Sequence, residues 1–82
     1  MKVVVFGATG ETGRHLTERA LRAGHTVTAF ARDPTRMPIV HERLRVVRGD
    51  VLDPPSVDRV IPGHDAVLSA LGGTARNPAP VL

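Results

Sequence analysis

Apolar residues along the chain gather in short runs separated by polar segments of helical spacing. Residues 2–6, Lys2 to Phe6, form a continuous β-branched and aromatic run that ends at Gly7, the pattern of a short strand buried on both faces. Over residues 11–23 the apolar positions Leu16, Ala20 and Ala23 recur at helical spacing. Glu18 stands four residues before Arg22 and Gly24 supplies a C-terminal stop, so this stretch predicts a first helix. Residues 25–31 set Val27, Ala29 and Ala31 on one side and Thr26, Thr28 and Phe30 on the other, which predicts a second strand, covered on both faces and parallel to the first.

Asp33, Pro34 and Pro38 then break the pattern, leaving room for about a turn or two of helix before a third strand at Leu44 to Arg48. Asp53 followed by Pro54 and Pro55 reads as a helix start, because aspartate caps orphan amides and proline at the first helical position forfeits no hydrogen bond. Pro62 and Gly63 end that helix, and residues 65–71 form a fourth apolar run leading into Gly72 and Gly73. One unit is expected over residues 1–73, with residues 74–82 an irregular tail or the start of a further segment.

Strands alternating with helical segments predict an α/β fold with a parallel sheet, and right-handed crossovers then lead to the strand order 3-2-1-4. Two crossovers fall on one face and only the short third helix on the other. The expected architecture is therefore three-layered but incomplete, with much of the second face bare and the fourth strand an open apolar edge. This pattern predicts a portion of a longer protein or of an assembly, prone to self-association through the open sheet.

Composition narrows the chemistry. The chain has no cysteine, tryptophan or tyrosine, so neither a disulfide framework nor a cysteine metal site holds it together. His15, His25, His41 and His64 show no metal spacing, and no metal is expected. The apolar run behind Met1 and Lys2 is too short for a secretory segment or a membrane span, which predicts a cytoplasmic protein without a membrane partner. A formal net charge of +3 suits nucleic acid, yet the 11 basic residues include a single lysine, are interleaved with acids, and have only Phe6 and Phe30 as aromatic company. Without a stacking platform, no nucleic-acid partner is expected.

The turn after the first strand reads Gly7, Ala8, Thr9, Gly10, Glu11, Thr12, Gly13, a GxxGxxG spacing that opens the first helix. A helix N-terminus offers unpaired N–H groups and a positive dipole end, and glycines let a diphosphate approach the main chain. The Thr9 and Thr12 hydroxyls can donate to phosphate oxygens, and Gly13 lets the helix pack close to the sheet. Glycines alone would serve equally as a tight turn, but a motif between strand and helix in a βαβ unit of about 30 residues has the context of a dinucleotide cradle. The spacing is not that of a P-loop, and no lysine follows it.

Counting 19 positions from Gly13 reaches Arg32, at the end of the second strand. An acid there hydrogen-bonds a ribose 2′-hydroxyl, whereas an arginine accommodates a 2′-phosphate. Thr35 and Arg36 add a hydroxyl and a second guanidinium, which together resemble a phosphate clamp. Asp33, one residue on, is the competing ribose acceptor. Beyond the third strand, Asp50 can accept from an adenine amine while Val51 packs on the ring, although Asp50 suits a simple turn equally well. Leu71 and Gly72, at the end of the fourth strand, would pass beneath the nicotinamide-side ribose at the carboxyl edge of the sheet. Ser69 has no histidine or acid placed by spacing to activate it, and no catalytic residue is expected.

Four segments then carry a resemblance: FGATGETG at 6–13, ARDPTRMP at 31–38, RGDVL at 48–52 and GHDAVLSALGG at 63–73. In this order they resemble the Rossmann-type atypical short-chain dehydrogenases, most closely the NADPH-dependent flavin and biliverdin-IXβ reductase type and its NmrA-like relatives. The resemblance implies a sheet of more than four strands, of which this chain is the N-terminal half. It also implies an NADP cofactor and hydride transfer to a small acceptor such as a flavin, tetrapyrrole or quinone. The implied cofactor contacts fall on Gly7, Thr9, Gly10, Thr12, Arg32, Thr35, Arg36, Asp50, Val51, Leu71 and Gly72. The strands and loops that shape an acceptor pocket have no counterpart here. Nor does the YxxxK motif of tyrosine-dependent members, since the chain lacks tyrosine and Lys2 is its one lysine. Two alternatives share the same turn: a non-catalytic NmrA-like NADP(H) sensor, and part of an extended sugar-nucleotide epimerase or dehydratase.

Overall fold

Val3, Val4 and Val5 are all buried, as an uninterrupted β-branched run demands, and they form the centre of β1 (Lys2–Phe6). The computed structural model describes residues 1–70. After β1 come α1 (Glu11–Arg22), β2 (Thr26–Ala31), a 3-10 turn (Pro34–Arg36), β3 (Leu44–Arg48), α2 (Pro54–Val60) and β4 (Ala66–Ser69). The strands pair in parallel in the order β3-β2-β1-β4, as the alternation of elements predicts. Register places Val4 between Thr28 and Val67, and Phe30 beside Val47. The fold is an α/β, Rossmann-like parallel sheet.

The two sides of the pleat carry separate cores. Val3, Val5, Val27 and Ala29 pack with Ala20 and Leu21 of α1, and Met37 and Ile39 of the β2–β3 connection join that side. Val4 and Phe30 pack with Val60 of α2 on the other side. The first two crossovers thus share a face and α2 has the second, giving three layers. That second face is better covered than the pattern predicts. The Phe6 and Phe30 rings meet edge to face with centroids 5.0 Å apart, the His64 Nε2 lies 2.7 Å from the Thr28 hydroxyl, and Val4 is fully buried. Two aromatic rings and the loop after α2 fill what a short helix alone leaves open. The apolar exposure within this face's strands falls on Val67, on edge strand β4.

Helix α1 buries Gly13, Thr17, Ala20 and Leu21, not Ala23, which is exposed at the C-cap. Thr17 tolerates burial because its hydroxyl donates to the Gly13 carbonyl at 2.8 Å. The helix ends at Gly24, whose φ of 95° allows its N–H to donate to Leu21 O and that of His25 to Ala20 O. The Arg43 guanidinium adds a 2.9 Å bond to Leu21 O.

At α2 the expected cap changes form. Asp53 occupies the N-cap, but its side chain makes no capping bond. Pro54 and Pro55 have no N–H to offer, and the Ser56 N–H is taken by the Asp53 carbonyl at 2.9 Å. The Ser56 hydroxyl instead ties the turn together, accepting from Asp50 N–H at 3.1 Å and lying 2.9 Å from the Asp50 carbonyl. Leu71 at the end of the expected fourth run, Gly72 and Gly73 beyond it, and the expected tail at 74–82 lie outside the described residues. No helix among the described residues is long and apolar enough to cross a membrane, and no cluster there could hold a metal ion.

Candidate nucleotide-binding site

The site begins where β1 ends. Gly7 turns the chain with φ 73°, a conformation that side chains rarely adopt, and Gly10 N–H donates to its carbonyl at 3.3 Å. Gly13 sits so close beneath this turn that a Cβ would fall 1.9 Å from Gly7 O and 2.7 Å from Ala8 Cα. Close packing of α1 on the loop therefore requires glycine at 13, as the motif predicts. Gly10 differs, since a Cβ there would meet nothing nearer than Gly7 O at 3.7 Å. Internal packing does not explain glycine at 10, and its missing side chain keeps the loop surface bare.

Gly10 is also the N-cap of α1 and supplies no side-chain cap. Among the described residues, no hydrogen bond engages the backbone N–H of Glu11, Thr12 or Gly13. Three donors and the positive end of the helix dipole thus meet at the carboxyl edge of the sheet, an arrangement that suits a diphosphate. Glu11 and Thr12 are exposed, and Thr9 is half-buried on the turn itself.

The second wall follows β2. Asp33 caps the 3-10 turn, its Oδ1 accepting the Thr35 hydroxyl at 2.5 Å and the Thr35 N–H at 3.1 Å. The Thr35 hydroxyl is the main reason that the Asp33 carboxyl is held below the usual aspartate range. The Thr35 N–H acts in the same direction, burial opposes it, and the charges of Arg36 and Arg48 add lesser downward pulls. The hydroxyl that sequence assigns to a phosphate clamp at Thr35 is thus donated to Asp33, because a carboxylate two residues back is the stronger local acceptor. Arg32 and Arg36 are exposed and form no ion pair among the described residues.

The third wall follows β3. Gly49 N–H donates to Ala31 O at 3.0 Å, continuing the ladder, and a Cβ on Gly49 would fall 2.2 Å from the buried Phe30 ring. Asp50 Oδ1 accepts the Leu52 N–H at 2.9 Å, so Asp50 does shape a turn. Val51 and Leu52 are exposed apolar residues beyond it.

Together these walls enclose a cleft of about 420 Å³ that brings Gly7, Thr9, Arg32, Arg36, Asp50 and Val51 together. Its size lies within the range of small-molecule and cofactor sites. Gly10, Glu11, Thr12 and Gly13 lie at the adjoining helix end rather than on the cleft wall, and so does Thr35 on its turn. Ala8, Phe30, Ala31 and Leu52 line the cleft without having been singled out by sequence. The signal for Phe30 is its neighbour in space, Gly49, which spacing alone does not connect to it.

This geometry, a glycine turn into a helix at the carboxyl edge of a 3-2-1-4 parallel sheet, defines a Rossmann-type dinucleotide-binding domain. Residues 7–80 match the NAD(P)H-binding family, and the chain belongs to it. The isoflavone reductase homolog IRL of Zea mays is 31% identical over 80 residues, covering 87% of this chain and 26% of the relative. The chain thus spans about a quarter of the length of the curated relatives it matches. Among solved structures, a Rossmann-fold NAD(P)-binding family protein from Shigella flexneri superposes with a TM-score of 0.75 at 26% identity, covering 83% of this chain and 36% of the other. A wide-type short-chain dehydrogenase/reductase from Veillonella parvula, solved in complex with NADP, gives a TM-score of 0.74 at 26% identity over 83% of this chain and 34% of its own.

Proposed function

We propose that residues 1–73 are the NADP(H)-binding portion of an oxidoreductase that passes hydride to a small acceptor of the flavin, tetrapyrrole or quinone type. In this reading the diphosphate takes the amides of Glu11, Thr12 and Gly13 and the hydroxyls of Thr9 and Thr12, over the bare surface at Gly7 and Gly10. Adenine lies against Val51 with its amine toward Asp50. The 2′-phosphate meets Arg32 and Arg36, with Thr35 acting through its hold on Asp33. The bound nicotinamide supplies the hydride, and this chain's residues hold and orient it. The isoflavone reductase homolog and the NADP-bound dehydrogenase/reductase support the oxidoreductase class.

The observation that carries the NADP reading is the state of Asp33. An acid that selects NAD offers its carboxylate to the ribose 2′-hydroxyl, whereas Oδ1 of Asp33 already accepts both donors of Thr35. Arg32 and Arg36, beyond β2, form no ion pair among the described residues. Calorimetric titration of NADPH and NADH against wild type and Arg32→Ala tests this. Because Arg32 is exposed, the loss for NADPH belongs at the lower end of a charge-assisted bond, about 1.5 kcal/mol or tenfold in affinity. NADH binding should hardly change, and equal losses for both cofactors would remove Arg32 as the discriminator. NADPH oxidation that depends on an added flavin or quinone separates a reductase from a sensor, which binds NADPH without consuming it.

A further inference from the structure

A second groove, of about 380 Å³, opens where the nucleotide cleft ends. Arg32, Gly49 and Asp50 line both, so the two are continuous around the carboxyl end of β3. Arg48 and Arg59 line the second but not the first, and both also border a smaller groove with Arg45 and His64 on the α2 side. Arg48 is the last residue of β3 and the register partner of Ala31, the residue before Arg32. Arg59 comes from α2. Three arginines, one just beyond β2, one ending β3 and one on α2, therefore border one groove, and none has an ion-pair partner among the described residues.

Like charges gathered this way repel one another, and a simpler role must be weighed against a binding one. β3 is an edge strand, and exposed Arg45 and Arg48 discourage pairing with another chain. Edge protection accounts for those two residues but not for Arg59, which lies on a helix and turns toward the same groove as Arg48. Two carboxylates are also present. Asp50 is engaged by the Leu52 N–H and Asp53 stands at the start of α2, leaving three cations against two anions. Arg48 also reaches the first cleft electrostatically, since its charge helps keep Asp33 ionised.

We propose that Arg48 is a further specificity-determining residue, which holds the cofactor's 2′-phosphate together with Arg32 at the rim shared by the two grooves, while Arg59 backs it from α2. The inference rests on the reading in which Arg32 meets that phosphate. A phosphate monoester carries nearly two negative charges and three acceptor oxygens, more than one exposed guanidinium satisfies. Arg48 is the register partner of Ala31, the residue before Arg32, so a phosphate at the shared rim would meet a guanidinium from β3 as well as the one that follows β2.

Adenosine 2′,5′-bisphosphate and 5′-AMP differ only in the 2′-phosphate and are the probes of choice. Their affinities should be measured for wild type, Arg32→Ala, Arg48→Ala, Arg48→Lys and Arg59→Ala. Wild type should prefer the bisphosphate. Arg48→Ala should weaken it about tenfold, the scale of one charge-assisted contact, and leave 5′-AMP within about twofold. Retained 5′-AMP binding reports an intact site. Arg48→Lys keeps the charge without the planar fork and should lose affinity severalfold for the bisphosphate alone, which decides the matter even if the alanine variant unfolds. If Arg32→Ala abolishes the preference while both Arg48 variants keep it, Arg48 is an edge charge and only this proposal falls. If wild type binds both probes equally, the NADP reading falls with it.

Discussion

Alanine at Gly13 and alanine at Gly10 add the same methyl group to the same turn, three residues apart, and their consequences should be opposite. At Gly13 the new Cβ lies 1.9 Å from Gly7 O and 2.7 Å from Ala8 Cα, backbone atoms that cannot rotate aside. Reaching ordinary contact near 3.4 Å means moving α1 away from the turn by about 1.5 Å. That shift loosens Ala20 and Leu21 against the sheet. The helix gains about 1 kcal/mol of propensity, but overpacking of this kind costs roughly 1–3 kcal/mol before the loosened contacts are counted. A net loss of about 1–2 kcal/mol moves the urea midpoint down by about 1–2 M, at the slope of about 1 kcal/mol per M of a small domain. At Gly10 the nearest atom is 3.7 Å away and the backbone, at φ −76° and ψ 171°, suits any residue. Losing a glycine N-cap costs a few tenths to about 1 kcal/mol, offset by about 0.4–1 kcal/mol of reduced freedom in the unfolded chain. Gly10→Ala should therefore unfold near the wild-type midpoint yet bind NADPH at least about tenfold more weakly, because its methyl stands beside the three open amides. Urea titration by far-UV circular dichroism and calorimetry with NADPH measure both. A Gly13→Ala protein with the wild-type midpoint, or a Gly10→Ala protein with wild-type NADPH affinity, would refute this division of labour.

Other predictions follow from single contacts. Gly49→Ala drives a Cβ to 2.2 Å from a Phe30 ring that is only 2% exposed, and should lower stability by roughly 1–3 kcal/mol in chemical denaturation; an unchanged midpoint would mean the ring can move. The Asp33 carboxyl is depressed in the folded chain, so its contribution is present above the unfolded value and lost as pH falls through the folded one, on the acid side of the aspartate range. Thr35→Ala should raise that carboxyl toward its ordinary value in a carbon-detected NMR titration, and an unmoved midpoint would contradict the assigned cause. Edge strand β4 holds Ala66, Val67, Leu68 and Ser69 and no charged residue, unlike β3, so self-association is expected through β4. Val67→Lys should shift sedimentation toward monomer, and a wild-type chain already monomeric at high concentration would remove the premise.

The sheet is legible in the sequence because each strand is a short β-branched or alternating run bounded by glycine or proline, and because a right-handed crossover leaves little choice of order. β3 and β1 have the boundaries that the pattern predicts, and the others differ by a residue or two at their ends. What escapes is decided by hydrogen bonds. Thr17 looks like a surface residue until its hydroxyl finds Gly13 O, and with it the buried stripe of α1 rotates toward Leu21. Asp53 looks like a cap until two prolines deprive it of donors. Glycine spacing reveals the turn that opens α1, but the link between Asp33 and Thr35 appears only when the 3-10 turn folds. Arg48 and Arg59 lie 11 positions apart and read as unrelated surface charges until β3 and α2 bring them to one groove.

In the proposed function, NADP(H) lies along the carboxyl ends of β1, β2 and β3, with its diphosphate on the N-terminus of α1. Amide chemical-shift mapping of the chain during titration with NADPH tests it most directly. The largest shifts are expected at Gly10, Glu11, Thr12 and Gly13, at Arg32, and at Gly49, Asp50 and Val51, with Arg45, Val60 and His64 on the α2 side unmoved. Shifts concentrated at those last three residues, with the glycine turn silent, would contradict it.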